Sequence, residues 1–436
     1  MALSGPEATT RTLRDFAREN RGLVIALGIA ELIAVLMVST ISPHDHIDGE
    51  VYRLGARAWL AGQDMYGPLP ATESGLRLPF IYPPFAAILF SPLGLVPKSV
   101  AVAVIMLVSH AALLITLYVV FNAANFLRGQ RERVLLWTAV ALPLATLSEP
   151  VMETLTYAQI NLVLMAMVAL DCLWRTKPGE KLPWPRGLLI GIAGGIKLTP
   201  LAFLLFLLLR KDVRAMVWTA LGFLATVAVG AALAFSDAKN FWLHQVMATG
   251  NVSFGPKFTG DASVYAGNQS LRSSIVKFGI QHVSIAFALA AVVVLVLAVV
   301  AMVHAMRQRD LPMAMVLNGV LSLLVSPISW SHHWVWAIPG IVLLAGAALM
   351  RRDWPLLVIT SIAASFFTLG PQWKVPQGKG RELHWNIFEH LVGNAYVYFG
   401  LALLAYGALA WWRARGAKQD RPAEGDEAQE AVTAAS

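Results

Sequence analysis

A chain of 436 residues that is 57% hydrophobic and only 14% charged, with a mean hydropathy of +0.61, falls far short of the roughly 25% charge of a soluble domain. It is expected to be solvated mainly by lipid, which excludes a soluble enzyme and a nucleic-acid-binding protein. The net charge of +8 sits largely in short basic loops between apolar runs, as the positive-inside rule describes.

Residues 1–21 are polar and carry Arg11, Arg14, Arg18 and Arg21 just before the first apolar run, so they are placed in the cytoplasm. A helix needs about 20 apolar residues to cross a bilayer. Residues 22–42 suffice, and no small-residue cleavage site follows, so the run reads as a span rather than a signal peptide. The polar stretch 43–85 then emerges on the far side, with His44, Asp45, His46, Asp48 and Glu50 near its start and Tyr82-Pro83-Pro84 near its end. Within it, 51–61 (VYRLGARAWLA) sets apolar residues at helical spacing opposite Arg53 and Arg57, which predicts a helix lying on the membrane surface. The apolar run from Phe85 to Val96 is short and proline marks both ends, so it reads as re-entrant.

Residues 99–127 lead inward to the basic loop RGQRER (128–133), and 134–149 and 157–174 go out and back to a second basic loop, 175–186. The apolar stretch before RKDVR (210–214) is interrupted by Gly194-Gly195 and Pro200 and has basic flanks on both sides, so two half-spans are expected. Backbone breaks at that depth persist only where protein or a water-filled cavity receives them. Residues 215–235 reach a second outer loop, 236–283. The runs 284–306, 311–328, 334–350, 354–369 and 391–412 complete about twelve crossings, with a third outer loop at 370–390. The expected fold class is an all-α polytopic membrane protein: one transmembrane domain, 22–413, followed by an Ala/Glu-rich tail, 414–436, expected to be disordered. Cys172, the single cysteine, lies in an apolar run and can form no intrachain disulfide.

This topology puts nearly every unusual polar residue on the outer face: the acids of 45–50, Tyr82, Glu149, Glu153, Tyr157, Gln159, Asn161, Lys197, Asn268, Gln269, Arg272, His332 and His333. Such groups at or near membrane depth are costly and point to function. Together they indicate a cavity open to that side. Blander readings stand beside each. The acids suit a solvated loop, and HDHID (44–48) suits zinc or manganese, although adjacent residues on one loop seldom wrap an ion alone. Lys197 suits snorkelling to the interface or, between Gly-Gly and Thr-Pro, a fixed cation for a lipid phosphate. His332 and His333 suit an aromatic belt or a site. Asn251-Val-Ser and Asn268-Gln-Ser match a short, common glycosylation motif.

Six motifs, in order, resemble a known family: D-x-x-VY (48–52), LPFIYPPFAAILFSPL (78–93), YAQINLVLM (157–165), GGIKLTP (194–200), NQSLR (268–272) and SPISWSHHWVW (326–336). Together they resemble the actinobacterial polytopic mannosyltransferases of glycosyltransferase family 87, which have the membrane GT-C architecture; the resemblance runs from about Ile41 to Trp336. It implies a plasma-membrane enzyme with its site facing the periplasm, moving mannose from polyprenyl-phosphate-mannose to a phosphatidylinositol mannoside in α-1,2 linkage by inverting displacement. Its partners are then lipids, with no nucleic acid, metal or other cofactor, and the chain is expected to act as a monomer. The family's essential carboxylate maps onto Asp48 as general base. Gly49 and Glu50 depart from the bulky apolar residue and frequent histidine of that motif, which leaves Asp45 as a rival. Lys197, Arg272, His332 and His333 are expected at the donor phosphate, and Tyr82, Tyr157, Gln159, Asn161, Asn268 and Gln269 around the sugar and acceptor hydroxyls. Two alternatives stay open. One is a family 87 transferase with another acceptor or sugar, such as a lipomannan branch or arabinofuranose. The other is a lipid or solute transporter, which broken helices also suit but which the one-sided polar groups and missing inverted repeat disfavour.

Overall fold

The computed structural model describes residues 19–41, 46–174, 182–246 and 262–419, and among them the chain is helical, with one isolated bridge between Asn268 and Trp330 in place of any strand. The first helix, α1 (Arg21–Ile41), turns Leu32, Ile33 and Leu36 outward, a surface that suits lipid and not water. Helix α2 (Ile47–Leu60) begins ahead of the predicted 51–61. Asp48 and Glu50 therefore lie in its first turn, where carboxylates meet the positive end of the helix dipole.

Of the two arginines on α2, Arg57 stays exposed as the amphipathic reading predicts, whereas Arg53 is buried. Arg53 donates to the carbonyls of Leu93 (3.0 Å) and Val96 (2.6 Å), and Arg57 donates to that of Gly94 (2.8 Å). These carbonyls close a short return built from α3 (Pro84–Leu89) and α4 (Ser91–Leu95). The last carbonyls of a helix have no intrahelical partners, so α2 caps the short return that follows it.

Helices α5 (Lys98–Ala123), α6 (Arg131–Thr146) and α7 (Glu149–Thr156) follow, with a 67° bend between α6 and α7, and then α8 (Asn161–Leu173). Next comes α9 (Leu188–Ile196), then a 3-10 segment, Thr199–Phe203, running into α10 (Leu204–Leu209), and then α11 (Val213–Leu233). A Cβ at Gly191 or Gly195 of α9 would strike the Thr219 carbonyl or the Thr226 side chain of α11. Small residues of this kind let membrane helices meet backbone to backbone. Just past that contact the chain leaves the helix, with Lys197 extended at φ −150° and ψ 132°.

Helix α12 (Phe235–Asn240) precedes the undescribed 247–261, where the Asn251 motif falls. Then come α13 (Leu271–Lys277), α14 (Val283–Arg307), α15 (Leu311–Val325), a 3-10 segment at Ser331–Trp336, α16 (Ala337–Arg351), α17 (Trp354–Leu369), α18 (Ile387–Gly393) and α19 (Ala395–Gln419). Among the described residues six helices are long and apolar enough to cross a membrane, or up to seven with α6 and α7 taken as one bent span. The chain is a multi-pass membrane protein. The predicted count of about twelve also includes α9 and the four shorter apolar segments, which are α8, Thr199–Leu209, α15 and α17. Phe203, Phe206, Trp334 and Tyr396 fill the centre of the bundle.

Candidate active site

Loops and helix ends from distant parts of the chain enclose a cavity of about 600 Å³. Its polar lining includes Asp48, Tyr82, Tyr157, Gln159, Lys197, His332, His333, Gln377 and Glu382. Leu76, Leu78, Ile81, Leu198, Phe241 and Ile328 supply apolar wall. Apolar walls with a few convergent polar groups are the usual make-up of a small-molecule site.

Asp48 and Tyr52 stand at i and i+4 on α2 and so share a face. Gln159 joins them: the Tyr52 hydroxyl donates to Gln159 Oε1 at 2.5 Å, and Gln159 Nε2 donates to Asp48 Oδ2 at 2.9 Å. Burial, with Tyr82 and Asp48 nearby, pushes the Tyr52 phenol well up, so it stays a donor. An amide whose oxygen is taken by a donor must present its NH₂ to the carboxylate. Tyr82 Oη completes the group, 3.4 Å from both Tyr52 Oη and Gln159 Nε2.

The departure at Gly49 has a physical consequence here. Its N–H donates to the Tyr157 carbonyl at 3.1 Å. A Cβ at 49 would come within 2.7 Å of the Ala158 Cβ, which is fixed by a left-handed backbone, φ 54°. Glycine thus lets α2 close on the 157–159 turn. Glu50 takes a different path, accepting the Glu73 N–H at 3.0 Å and the Lys98 ammonium at 3.1 Å. His44 and Asp45 lie outside the described residues.

Lys197 Nζ donates to Asn161 Oδ1 at 3.1 Å, approaches His333 Nε2 at 3.3 Å, and lies 6.0 Å from the Tyr82 ring centroid. An ammonium only donates, so this contact asks for an unprotonated Nε2 on His333. The His332 ring packs against Tyr157 (5.0 Å) and His333 (4.7 Å). The His332 carbonyl accepts from Thr154 Oγ1 at 2.9 Å and Asn161 Nδ2 at 3.1 Å. Asn161 therefore lashes the Lys197 turn to the His332-His333 segment from behind.

A carboxylate, a cation and two imidazoles around one amphipathic cavity suit transfer between lipid-borne groups. The sequence model of glycosyltransferase family 87 matches residues 80–327, more than half of the chain. The chain belongs to glycosyltransferase family 87. It is 32% identical to the polyprenol-phosphate-mannose-dependent alpha-(1-2)-phosphatidylinositol mannoside mannosyltransferase of Mycobacterium tuberculosis, over 83% of this chain and 84% of that one. It is 33% identical to the protein of the same name from Mycolicibacterium smegmatis, over 82% of each chain. The crystal structure of ArnT from Cupriavidus metallidurans in the apo state is similar at a TM-score of 0.45 and 16% identity, over 89% of this chain and 78% of that one.

In this family 87 glycosyltransferase four of the residues expected at the site, Asn161, Asn268, Gln269 and Arg272, stand behind its wall. Asn268 and Gln269 are fully buried. Asn268 Oδ1 accepts the Ser329 N–H at 3.0 Å, and Gln269 Nε2 donates to the carbonyls of Ala266 (2.8 Å) and Gly393 (2.6 Å). Both thus hold the 268–269 segment in place. Arg272 donates to Ser263 Oγ at 2.8 Å and is not among the described residues that line the cavity.

The stretch 370–390, to which the sequence assigned no role, supplies Trp373, Gln377 and Glu382 to the lining. Glu149 anchors that stretch to α7 by accepting Gln372 Nε2 at 2.9 Å and Trp373 Nε1 at 2.6 Å, with the Tyr396 hydroxyl at 2.8 Å. The available signal was an acid and an aromatic in a stretch without apolar periodicity.

Proposed function

We propose that the chain is a polyprenyl-phosphate-mannose-dependent α-1,2-mannosyltransferase of the GT-C class that extends a phosphatidylinositol mannoside at the periplasmic face of the plasma membrane. The observation that carries the reading is that Asp48 and Lys197, far apart in sequence, line one cavity. Family membership and the names of its mycobacterial relatives support the donor and acceptor.

In this reading an acceptor hydroxyl attacks C1 of the β-linked mannose while the bond from C1 to the phosphate oxygen breaks. Inversion yields the α-mannoside. Asp48 takes the hydroxyl proton as general base, and Gln159 holds the carboxylate for that task. The electron pair of the broken bond leaves on the polyprenyl phosphate, whose developing charge meets Lys197 and an imidazole N–H from the His332-His333 pair. Tyr82 and Tyr157 contact the sugar from the wall. A monophosphate leaving group develops less charge than a diphosphate, so the reading includes no metal or cofactor, and one chain is proposed to act alone.

The test is incubation of the purified protein with radiolabelled polyprenyl-phosphate-mannose and a panel of phosphatidylinositol mannosides. Label in a glycolipid, released by an α-1,2-specific mannosidase, is the expected result; no label in any acceptor would sink the reading. For sidedness, a cysteine placed at Lys379 should react with an impermeant reagent from outside intact cells.

A further inference from the structure

Glu382 has an environment that the proposed chemistry leaves unexplained. It sits on the 3-10 turn Arg381–His384, is 1% exposed, and still lines the cavity. Its Oε1 accepts the Gly378 N–H at 2.8 Å. Its Oε2 is buried with no hydrogen-bond partner among the described residues. A buried carboxylate oxygen without a donor is a standing cost to the fold, and native structures tend to keep such a group where a ligand or catalytic role answers it. The nearby Lys277 does not answer it. Its ammonium donates to the Asn268 carbonyl (2.9 Å) and Asn394 Oδ1 (3.3 Å) and lies 5.3 Å from the Trp385 ring centroid. It reaches Glu382 only through space.

We infer that Glu382 forms, with Trp373, Trp330 and Tyr265, a subsite that grips sugar hydroxyls of the acceptor headgroup. An ionised carboxylate only accepts hydrogen bonds, so its natural ligand is an O–H donor. It repels the phosphate of either lipid, which reserves this wall for a neutral polyol. The rings supply the flat apolar faces on which sugar C–H groups pack: Tyr265 and Trp330 lie with centroids 6.4 Å apart, and Trp373 is held by its bond to Glu149. The donor brings its phosphate to Lys197, which leaves the acceptor's sugars for this wall. The assignment rests on the reading above that the acceptor is a sugar-bearing lipid.

The experiment uses the full chain in nanodiscs, wild type and Glu382→Gln, with phosphatidylinositol mannosides as the probe. Acceptor binding is measured without donor, and KM is measured for each substrate in turn. Replacing a charge-assisted hydrogen bond by a neutral one should raise the acceptor Kd and KM about tenfold, equal to ~1.4 kcal/mol, with the donor KM and the unfolding temperature unchanged. Among acceptors that each lack one hydroxyl, at least one should bind wild type more weakly while binding Glu382→Gln no worse than the parent acceptor does. The inference is overturned if only the donor KM rises, if neither KM moves, or if wild type binds every deoxy acceptor equally well. It is also overturned if Glu382→Gln unfolds early and Lys277→Gln restores it, because Glu382 would then serve only as a counter-charge. Wild type that transfers no mannose counts against the donor reading alone, since the donor-free binding arm still decides the role of Glu382.

Discussion

Lys197 and Lys277 make an instructive pair. Each donates to an asparagine side chain, Asn161 for Lys197 and Asn394 for Lys277, and each lies over an aromatic ring, Tyr82 or Trp385. Only Lys197 lines the cavity. Lys277 is 1% exposed and adds a bond to the Asn268 carbonyl, so its ammonium is spent on holding the 268–269 segment. Lys197 has a histidine where Lys277 has that carbonyl, and one side of its ammonium is left for a ligand. Burial and an asparagine do not make a binding cation; an open face does.

The largest effect is expected beside Lys197. Asp48→Asn should lower transfer about 10²–10⁴-fold, the range of a lost general base, with the unfolding temperature retained. Turnover per folded molecule measured next to a melting curve checks this. Lys197→Gln should cost about 10²–10³-fold in kcat, as for loss of one group that stabilises developing charge. Lys277→Gln should cost less than about threefold per folded molecule, since surface or structural positions away from the reacting atoms act mainly through stability. Equal losses in the two lysine variants would break the comparison.

A smaller effect sharpens what stands opposite Lys197. Tyr52→Phe removes the donor that orients the Gln159 amide, and a net hydrogen bond of this kind is worth about 1 kcal/mol, so kcat should fall roughly fivefold with both KM values unchanged. A KM change without a kcat change would mean that Tyr52 meets substrate instead of positioning Asp48.

Stability, as distinct from turnover, should carry a pH dependence at Lys277. Burial lowers its pKa from 10.5 to about 7, whereas an unfolded lysine keeps its proton to about 10.4. Between those values the unfolded chain binds the extra proton, so this site makes the native state more stable as pH rises from about 7 toward 10.5. Lys277→Met lacks that dependence. The difference in unfolding midpoint, wild type minus variant, should therefore rise across this window and level off below pH 7. A difference that stays flat would show that Lys277 keeps its proton when folded.

What was legible in the sequence was local. Apolar length, basic loops and the Gly-Gly and Pro breaks marked the spans and the interruption at Lys197, because each depends on a few adjacent residues meeting lipid or losing a backbone hydrogen bond. The polar character of Asp48, Tyr82, Tyr157, Gln159, Lys197, His332 and His333 was equally plain, and the structure lines one cavity with all of them. Tertiary packing alone decided where other polar side chains point. Gln159 bonds Asp48, Asn268 and Gln269 satisfy buried backbone groups, Arg53 and Arg57 cap the α3–α4 return, and Glu382 enters the cavity from a loop that no motif marks. An amide or guanidinium satisfies a backbone carbonyl as well as a sugar hydroxyl, and only the neighbour that packs against it settles which. Gly49 shows both levels at once: the missing side chain is visible in the sequence, but its use, letting α2 close on Ala158, exists only after the two segments meet.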